Sequence, residues 1–112
     1  MKDMKQLLDQ TNQATRRLGT DYPDLLKGLG AFGRACEGGQ AVPKKYKELI
    51  AVALSVVQQC SYCIAFHVKA ALGAGASRDE IMEATFVAVL MGGGPAFMYA
   101  KEAYQALDDF GA

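Results

Sequence analysis

The residues best suited to do chemistry are two cysteines and a histidine that lie close together, Cys60, Cys63 and His67. His67 is the only histidine among the 112 residues. Residues three and four positions apart on an α-helix share one face, so a helix here would place both thiols and the imidazole together. A pair of thiols with a base one turn away can carry out thiol–disulfide exchange or peroxide reduction.

The position of these residues within a helix favours a particular order of events. We expect a break between two helices near Gln58-Gln59, so that Cys60 lies at a helix start and Cys63 within its first turn. The positive end of the helix dipole there favours thiolate. His67 can take the proton of Cys63 directly or through a water. We therefore predict that Cys63 attacks a peroxide, becomes a sulfenic acid, and is captured by Cys60 as a disulfide.

A third group that orients the histidine would make it a better base, and Glu48 is a candidate. If the helices that carry Glu48 and His67 are antiparallel, the two are offset by roughly one turn at about 1.5 Å per residue. A glutamate side chain can bridge that offset. The alternative is a solvent-exposed ion pair, because Lys44, Lys45 and Lys47 surround Glu48. The spacing alone does not decide between them.

Metal binding is the main alternative for this cluster. Cys60, Cys63 and His67 are soft ligands, and Glu48 can supply a fourth, but structural zinc usually takes ligands from two separated pairs and only one is present. A second alternative is a pair of core thiols beside a buried, hydrogen-bonded histidine. Haem attachment is excluded, because Ile64 stands where the histidine is required. We favour the redox site, for which we predict no metal or organic cofactor.

Composition argues against several classes of partner. Twelve basic and twelve acidic residues cancel and form no basic stripe, so neither nucleic acid nor an anionic membrane is expected as a partner. The segment Met1 to Gln6 is too polar for a signal peptide, and the odd number of cysteines does not suit a secreted disulfide scaffold. We expect a cytoplasmic protein that forms a single domain over residues 1–112.

Apolar residues recur with a helical period, which predicts an all-α bundle of about six helices. The glycine triplet from Gly92 to Gly94 interrupts the longest apolar run, and neither half is long enough to span a bilayer. Ser77 and Glu80 have the spacing of a capping box. The predicted helices run from about Asp3 to Leu18, from Pro23 to Gly38-Gly39, from Pro43 to Gln58-Gln59, from Cys60 or Ser61 to Gly73, from Ser77 to the glycine triplet, and from Pro95 to Asp109.

The third and fifth predicted helices are apolar on nearly every side, which a small monomer cannot easily bury. This favours a homo-oligomer; the alternative is that both helices form the central layer of one bundle.

Asp21 is predicted to cap the second helix. Cys36 is predicted to be an inert thiol in or near the core, and the methionines and the aromatic residues Phe86, Phe97 and Tyr99 are predicted to lie in the core.

The cluster resembles the AhpD-like branch of the carboxymuconolactone decarboxylase family. That branch carries a Glu, then eleven residues, then Cys-x-x-Cys-x-x-x-His, and Glu48, Cys60, Cys63 and His67 match at that spacing. The resemblance covers roughly Pro43 to Ala100. It implies an all-helical fold, trimers or hexamers, and reduction of a hydroperoxide or disulfide substrate through the two cysteines. It also places Glu48 in the site, and a thiol reductant is expected to restore the dithiol.

One residue departs from the pattern of the best-known members of that branch. They carry a histidine between the cysteines, where this chain has Tyr62. The resemblance therefore gives no role to a second imidazole in proton transfer or in docking a reductant. Two interpretations of Tyr62 stay open, exposure at the mouth of the site or packing. The decarboxylase branch usually lacks the dithiol, so a lactone decarboxylase is the less favoured enzyme.

Overall fold

The computed structural model describes residues 2–112, and this part of the chain forms five α-helices and no β-strand. The predicted all-α class is confirmed. Asp3 caps the first helix by accepting hydrogen bonds from the backbone N–H groups of Lys5 and Gln6. The helices are α1 (Met4–Asp21), α2 (Pro23–Glu37), α3 (Lys44–Val57), α4 (Ser61–Gly73) and α5 (Arg78–Asp109).

Five helices are present where about six were predicted, because the predicted fifth and sixth follow one another across a kink and count together as α5. Gly93 lies within α5 with φ 71° and ψ −151°, a conformation that glycine adopts without the strain a Cβ would cause. A Cβ on Gly92 would come within 2.7 Å of the Ala96 Cβ, so the chain also packs tightly across the bend. The break predicted at the glycine triplet is therefore present as a kink, and the two helical segments follow one another across it without a separate loop.

The boundary between α1 and α2 also differs from the prediction. Helix α1 continues through Gly19 and ends at Asp21, three residues beyond Leu18. A glycine weakens a helix interior by only about 1 kcal/mol, which helix packing can offset. Because Asp21 belongs to α1, it does not cap α2; Tyr22 occupies that position without a side-chain capping bond.

The core forms where α3, α4 and α5 pack together, with α1 against α4 and α5. A short turn that includes Gln59, with φ 58°, joins α3 to α4 and returns the chain beside itself. This arrangement places α3 and α4 side by side, as the candidate site requires. The largest fully buried side chains are Met4, Val52, Val56, Ile64, Val68, Ile81, Thr85 and Leu107.

Many apolar side chains predicted to lie in the core are exposed on the single chain. Phe86, Phe97, Met91 and Met98 are exposed, whereas Met4 is buried and Tyr99 packs partly against the core. None of the residues of α2 is buried. Helices that are apolar on most sides present more apolar surface than one 112-residue chain can cover.

Among the described residues, α5 is the one helix whose length and apolar composition would allow it to cross a membrane. Core helices of soluble proteins meet the same criteria, and α5 packs against α3, α4 and α1. The kink at Gly93 divides its 32 residues into halves. At about 1.5 Å per residue each half spans roughly 24 Å, less than the ~30 Å of a bilayer core.

The capping box at the start of α5 is present, and it also connects α5 to α3. The Ser77 Oγ accepts from the Glu80 N–H at 3.1 Å, and a Glu80 carboxylate oxygen accepts from the Ser77 N–H at 2.9 Å. The other oxygen of Glu80 lies 3.0 Å from the Lys45 Nζ. The Ser77 backbone N–H, followed by Lys45, lowers the pKa of the Glu80 carboxyl below its ordinary value of 4.5.

We predict that Glu80→Gln destabilises the fold at neutral pH and that this difference shrinks in acid. A carboxyl whose pKa is lowered by folding stabilises the fold above its unfolded pKa, here 4.5, and this contribution is lost as the pH falls through the folded pKa. Thermal unfolding of both proteins between pH 7 and pH 3 measures this. Glu83→Gln, an exposed change on the same helix, is the control. A difference that stays constant with pH would contradict the prediction.

Candidate active site

The packing of α3 on α4 brings together two side chains that are 19 residues apart in the sequence, Glu48 and His67. The His67 Nδ1 lies 2.9 Å from the Glu48 Oε2, and Glu48 is only 3% exposed. The His67 side chain is 30% exposed. A hydrogen bond at Nδ1 orients the ring and leaves Nε2 as the nitrogen that can exchange a proton with the exterior.

The alternative of a surface ion pair for Glu48 does not hold. Glu48 lies on the buried stripe of α3, one turn before Val52 and two before Val56, and so faces α4 and the core. The three neighbouring lysines contact other groups. Lys44 pairs with Glu37, Lys45 pairs with Glu80, and Lys47 donates to the backbone carbonyls of Cys36 and Gly39.

The two cysteines lie at the N-terminus of α4 and form a disulfide. Cys60 is the N-cap residue, Cys63 is in the first turn, and their Cα atoms are 5.2 Å apart. The Cys63 backbone N–H lies 3.2 Å from the Cys60 Sγ, so this sulfur takes the place of a capping oxygen. Both cysteines are partly buried, as is His67. The predicted shared face of α4 is therefore at the edge of the core, where small molecules can approach.

An open cavity of about 310 Å³ lies against Glu48 and His67. Cys36 contributes to its wall and is exposed, so the prediction of an inert thiol in or near the core was wrong about its burial. The reason is that α2 packs chiefly on α1 and leaves its own surface open. Tyr62 is 48% exposed, which decides for exposure over packing on the single chain.

A second buried polar contact lies beside the cysteines and was missed in the sequence analysis. The Ser61 hydroxyl lies 2.7 and 2.9 Å from the two carboxylate oxygens of Glu102, and both residues are buried. The Lys2 Nζ donates to the Ser61 Oγ at 3.4 Å. A signal was available, because Glu102 interrupts an apolar helical stripe that includes Ala103 and Ala106.

This arrangement has the parts for two-electron chemistry at sulfur. The cysteine pair can alternate between dithiol and disulfide, and His67, held by Glu48, can accept or return a proton nearby. In residues 2–112, no cluster of three or more His, Cys, Asp or Glu side chains has the arrangement of a metal site.

Comparison with known proteins agrees with this fold and with the family that the sequence resembles. The crystal structure of apo-lpg0406, a carboxymuconolactone decarboxylase family protein from Legionella pneumophila, is similar with a TM-score of 0.93. It is 36% identical in sequence, and the match covers 97% of each chain. Uncharacterized protein 4 in cox locus of Paracoccus denitrificans is 46% identical over 102 residues, which are 91% of this chain and 86% of that protein.

A more distant relative has a named activity. The alkyl hydroperoxide reductase AhpD of Mycobacteroides abscessus is 34% identical over 72 residues, which are 64% of this chain but only 39% of that protein. This likeness is consistent with the AhpD-like branch to which the motif pointed. The sequence model of the carboxymuconolactone decarboxylase family matches residues 23–106, most of the chain and all four motif residues. The protein therefore belongs to the carboxymuconolactone decarboxylase family.

Proposed function

We propose that the protein is a thiol-dependent hydroperoxide reductase or disulfide oxidoreductase that works through Cys60 and Cys63. The observation that carries the proposal is the 2.9 Å contact between the buried Glu48 carboxylate and His67, one turn from Cys63 on α4. A buried carboxylate on the histidine fixes the orientation of the ring and supports its use as a general base. The likeness to an alkyl hydroperoxide reductase supports the same class of reaction.

In the proposed reaction, His67 takes the proton of the Cys63 thiol, and the thiolate attacks an oxygen of the hydroperoxide. The O–O bond breaks, the alcohol leaves with a proton, and Cys63 becomes a sulfenic acid. The Cys60 thiol then attacks the Cys63 sulfur, the S–S bond forms and water leaves. In sum, a hydroperoxide and a dithiol give an alcohol, water and a disulfide. A thiol reductant returns two electrons and two protons to restore the dithiol.

The role proposed for Glu48 follows from its burial. An ionised carboxylate that is nearly out of water stabilises an imidazolium more strongly than an exposed one, because less solvent screens the pair. Its bond to Nδ1 also holds the ring so that Nε2 is the nitrogen that exchanges the proton. Glu48 therefore acts through His67 and is a positioning residue in this proposal.

Two other functions are separated from this one by simple measurements. A zinc-binding or non-catalytic helical module would hold the cysteines as ligands or as inert thiols, and freshly purified protein with one zinc per chain would favour it. A lactone decarboxylase would not need the two cysteines.

We also propose that the protein acts in the cytoplasm, where thiol reductants keep such a pair reduced between turnovers.

The assembly proposed for this enzyme is a homo-oligomer, a trimer or a hexamer. Leu90 is 80% exposed, Met91 79% and Leu25 71%, and large apolar surfaces of this kind usually mark protein contacts. Closed symmetric assemblies of identical subunits commonly cover such surfaces, and the number of three or six follows from the resemblance to AhpD-like proteins.

We predict that peroxide removes two of the three thiols of the reduced protein. One equivalent of a hydroperoxide should convert Cys60 and Cys63 to the disulfide and leave Cys36 free, and a dithiol reductant should restore all three. Thiol titration measures this. Cys36→Ser is the matched control and should still lose two thiols, whereas Cys63→Ser should form no intramolecular disulfide. Unchanged thiols in the wild type after peroxide would refute the hydroperoxide reductase, and unchanged thiols after a disulfide substrate as well would refute the proposed function.

We predict that Glu48→Gln slows peroxide-driven disulfide formation by at least ~10-fold, toward the low end of the contribution of general base catalysis. The pKa of the attacking thiol should rise, because the thiolate–imidazolium pair loses its supporting charge. Stopped-flow oxidation and the pH dependence of alkylation measure the two effects. Glu37→Gln, an exposed carboxylate on the wall of the same cavity, should change neither. A wild-type rate in Glu48→Gln would remove Glu48 from the site.

We predict that light scattering at micromolar concentration gives a mass of three or six chains of 12.0 kDa. Replacement of Leu90 and Met91 by Gln should shift the mass toward smaller species, because the apolar surface that drives assembly is reduced. As a control, replacement of the buried residues Val52 and Val56 by Gln should unfold the protein, because it disrupts the core. The variant with changes at Leu90 and Met91 should stay folded while its mass falls. A wild-type mass of one chain would contradict the prediction.

A further inference from the structure

A second buried carboxylate, that of Glu102, contacts Ser61, which lies between the two cysteines in the sequence. Glu102 of α5 is 9% exposed and receives the Ser61 hydroxyl at 2.7 and 2.9 Å. Ser61 is the first residue of α4 and directly follows Cys60. Through this contact the middle of the second half of α5 is joined to the turn that carries both cysteines.

Glu102 and a thiolate on either cysteine depend on the same electrostatic feature. The N-terminus of α4 carries partial positive charge, which favours thiolate at Cys60 or Cys63, and Glu102 reaches the same helix end through Ser61. Two negative charges near one helix end disfavour each other. Because Ser61 and Glu102 are both buried, water screens this repulsion less than on the surface.

Other charged or titratable groups surround the contact between Ser61 and Glu102. Lys2, which precedes α1, donates to the Ser61 Oγ at 3.4 Å and offsets part of the negative charge. Lys101 and Tyr99 of α5 line an open cavity of about 320 Å³ together with Lys2, Ser61 and Glu102. On α4 itself, His67 with Glu48 of α3 lies beyond the cysteines. Lys2 is therefore expected to stabilise a thiolate on the cysteines, and Glu102 is expected to destabilise it.

We propose that Glu102, acting through Ser61, is a positioning residue that holds the first turn of α4 and lowers the reduction potential of the Cys60–Cys63 pair. Its charge destabilises the thiolate of the reduced pair and so favours the disulfide, the opposite of redox proteins that are oxidising because their reduced form is stabilised. The proposal rests on the proposed function only in taking the pair as redox-active. In this proposal, Glu102 makes the dithiol a stronger reductant.

The test is equilibration of the full-length protein with reduced and oxidised glutathione at pH 6 and pH 8. In this reaction the protein disulfide takes two electrons and two protons, and two glutathione thiols become one glutathione disulfide. Glu102→Gln removes the charge and keeps an oxygen that can accept from Ser61. At pH 8 it should shift the equilibrium about tenfold toward the dithiol, a potential about 30 mV more positive. At pH 6 the shift should be smaller, because fewer thiols are ionised.

Lys2→Gln gives an independent result of opposite sign, since it removes an exposed positive charge and is not expected to affect folding. The potential at pH 8 should become more negative. Glu83→Gln, an exposed change on α5, should leave it unchanged. If Glu102→Gln folds and keeps the wild-type potential at pH 8, the inference is overturned; if it does not fold, Lys2→Gln decides, and an unchanged potential there overturns it.

The outcomes separate this inference from the proposed function. A wild-type disulfide that neither glutathione nor a dithiol reductant can reduce and restore would refute the redox function itself. A wild-type pair that does equilibrate, with the same potential in all variants, would refute only the role of Glu102. A purely structural role would lower the unfolding temperature of Glu102→Gln without a shift in potential that grows with pH, and so would also overturn the inference.

Discussion

The hydrogen bond between Glu48 and His67 is the contact on which the candidate site depends. A carboxylate that is almost out of water is strongly unfavourable unless a partner compensates for its lost hydration. The partner comes from another helix, so α3 and α4 must be held side by side with their ends in register. The buried residues Val52 and Ile64 belong to the core that holds these helices together. The core therefore determines the geometry of the site, and loss of the His67 side chain would leave the buried Glu48 carboxylate without its partner.

The N-terminus of α4 is the second constraint, because several groups share it. Cys60 caps the helix with its sulfur, Cys63 lies in the first turn, and Ser61 between them binds Glu102. A helix end can stabilise only a limited amount of negative charge. The balance between thiolate and carboxylate at this end is then a means to adjust how readily the cysteines are reduced. The disulfide lies where that balance acts most directly.

The surface of the single chain has a physical explanation in its small size. Helices α3 and α5 carry apolar residues on several sides, and the core covers only one of them, so Ile50, Leu54 and Leu90 are exposed. Helix α2 adds Leu25 and Phe32 to this surface. A homo-oligomer would cover part of it without changing the packing of α3 on α4.

The sequence by itself determined the helical class, most helix boundaries and the shared face of Cys60, Cys63 and His67, because these follow from spacing along one chain segment. It also placed Glu48 within reach of His67, but could not say whether that carboxylate was buried or paired with lysines. Only the tertiary structure decided this, through the packing of α3 on α4. The Ser61–Glu102 contact and the exposure of Cys36 were likewise beyond the sequence. Each depends on which surfaces of distant segments meet, and local spacing carries no information about that.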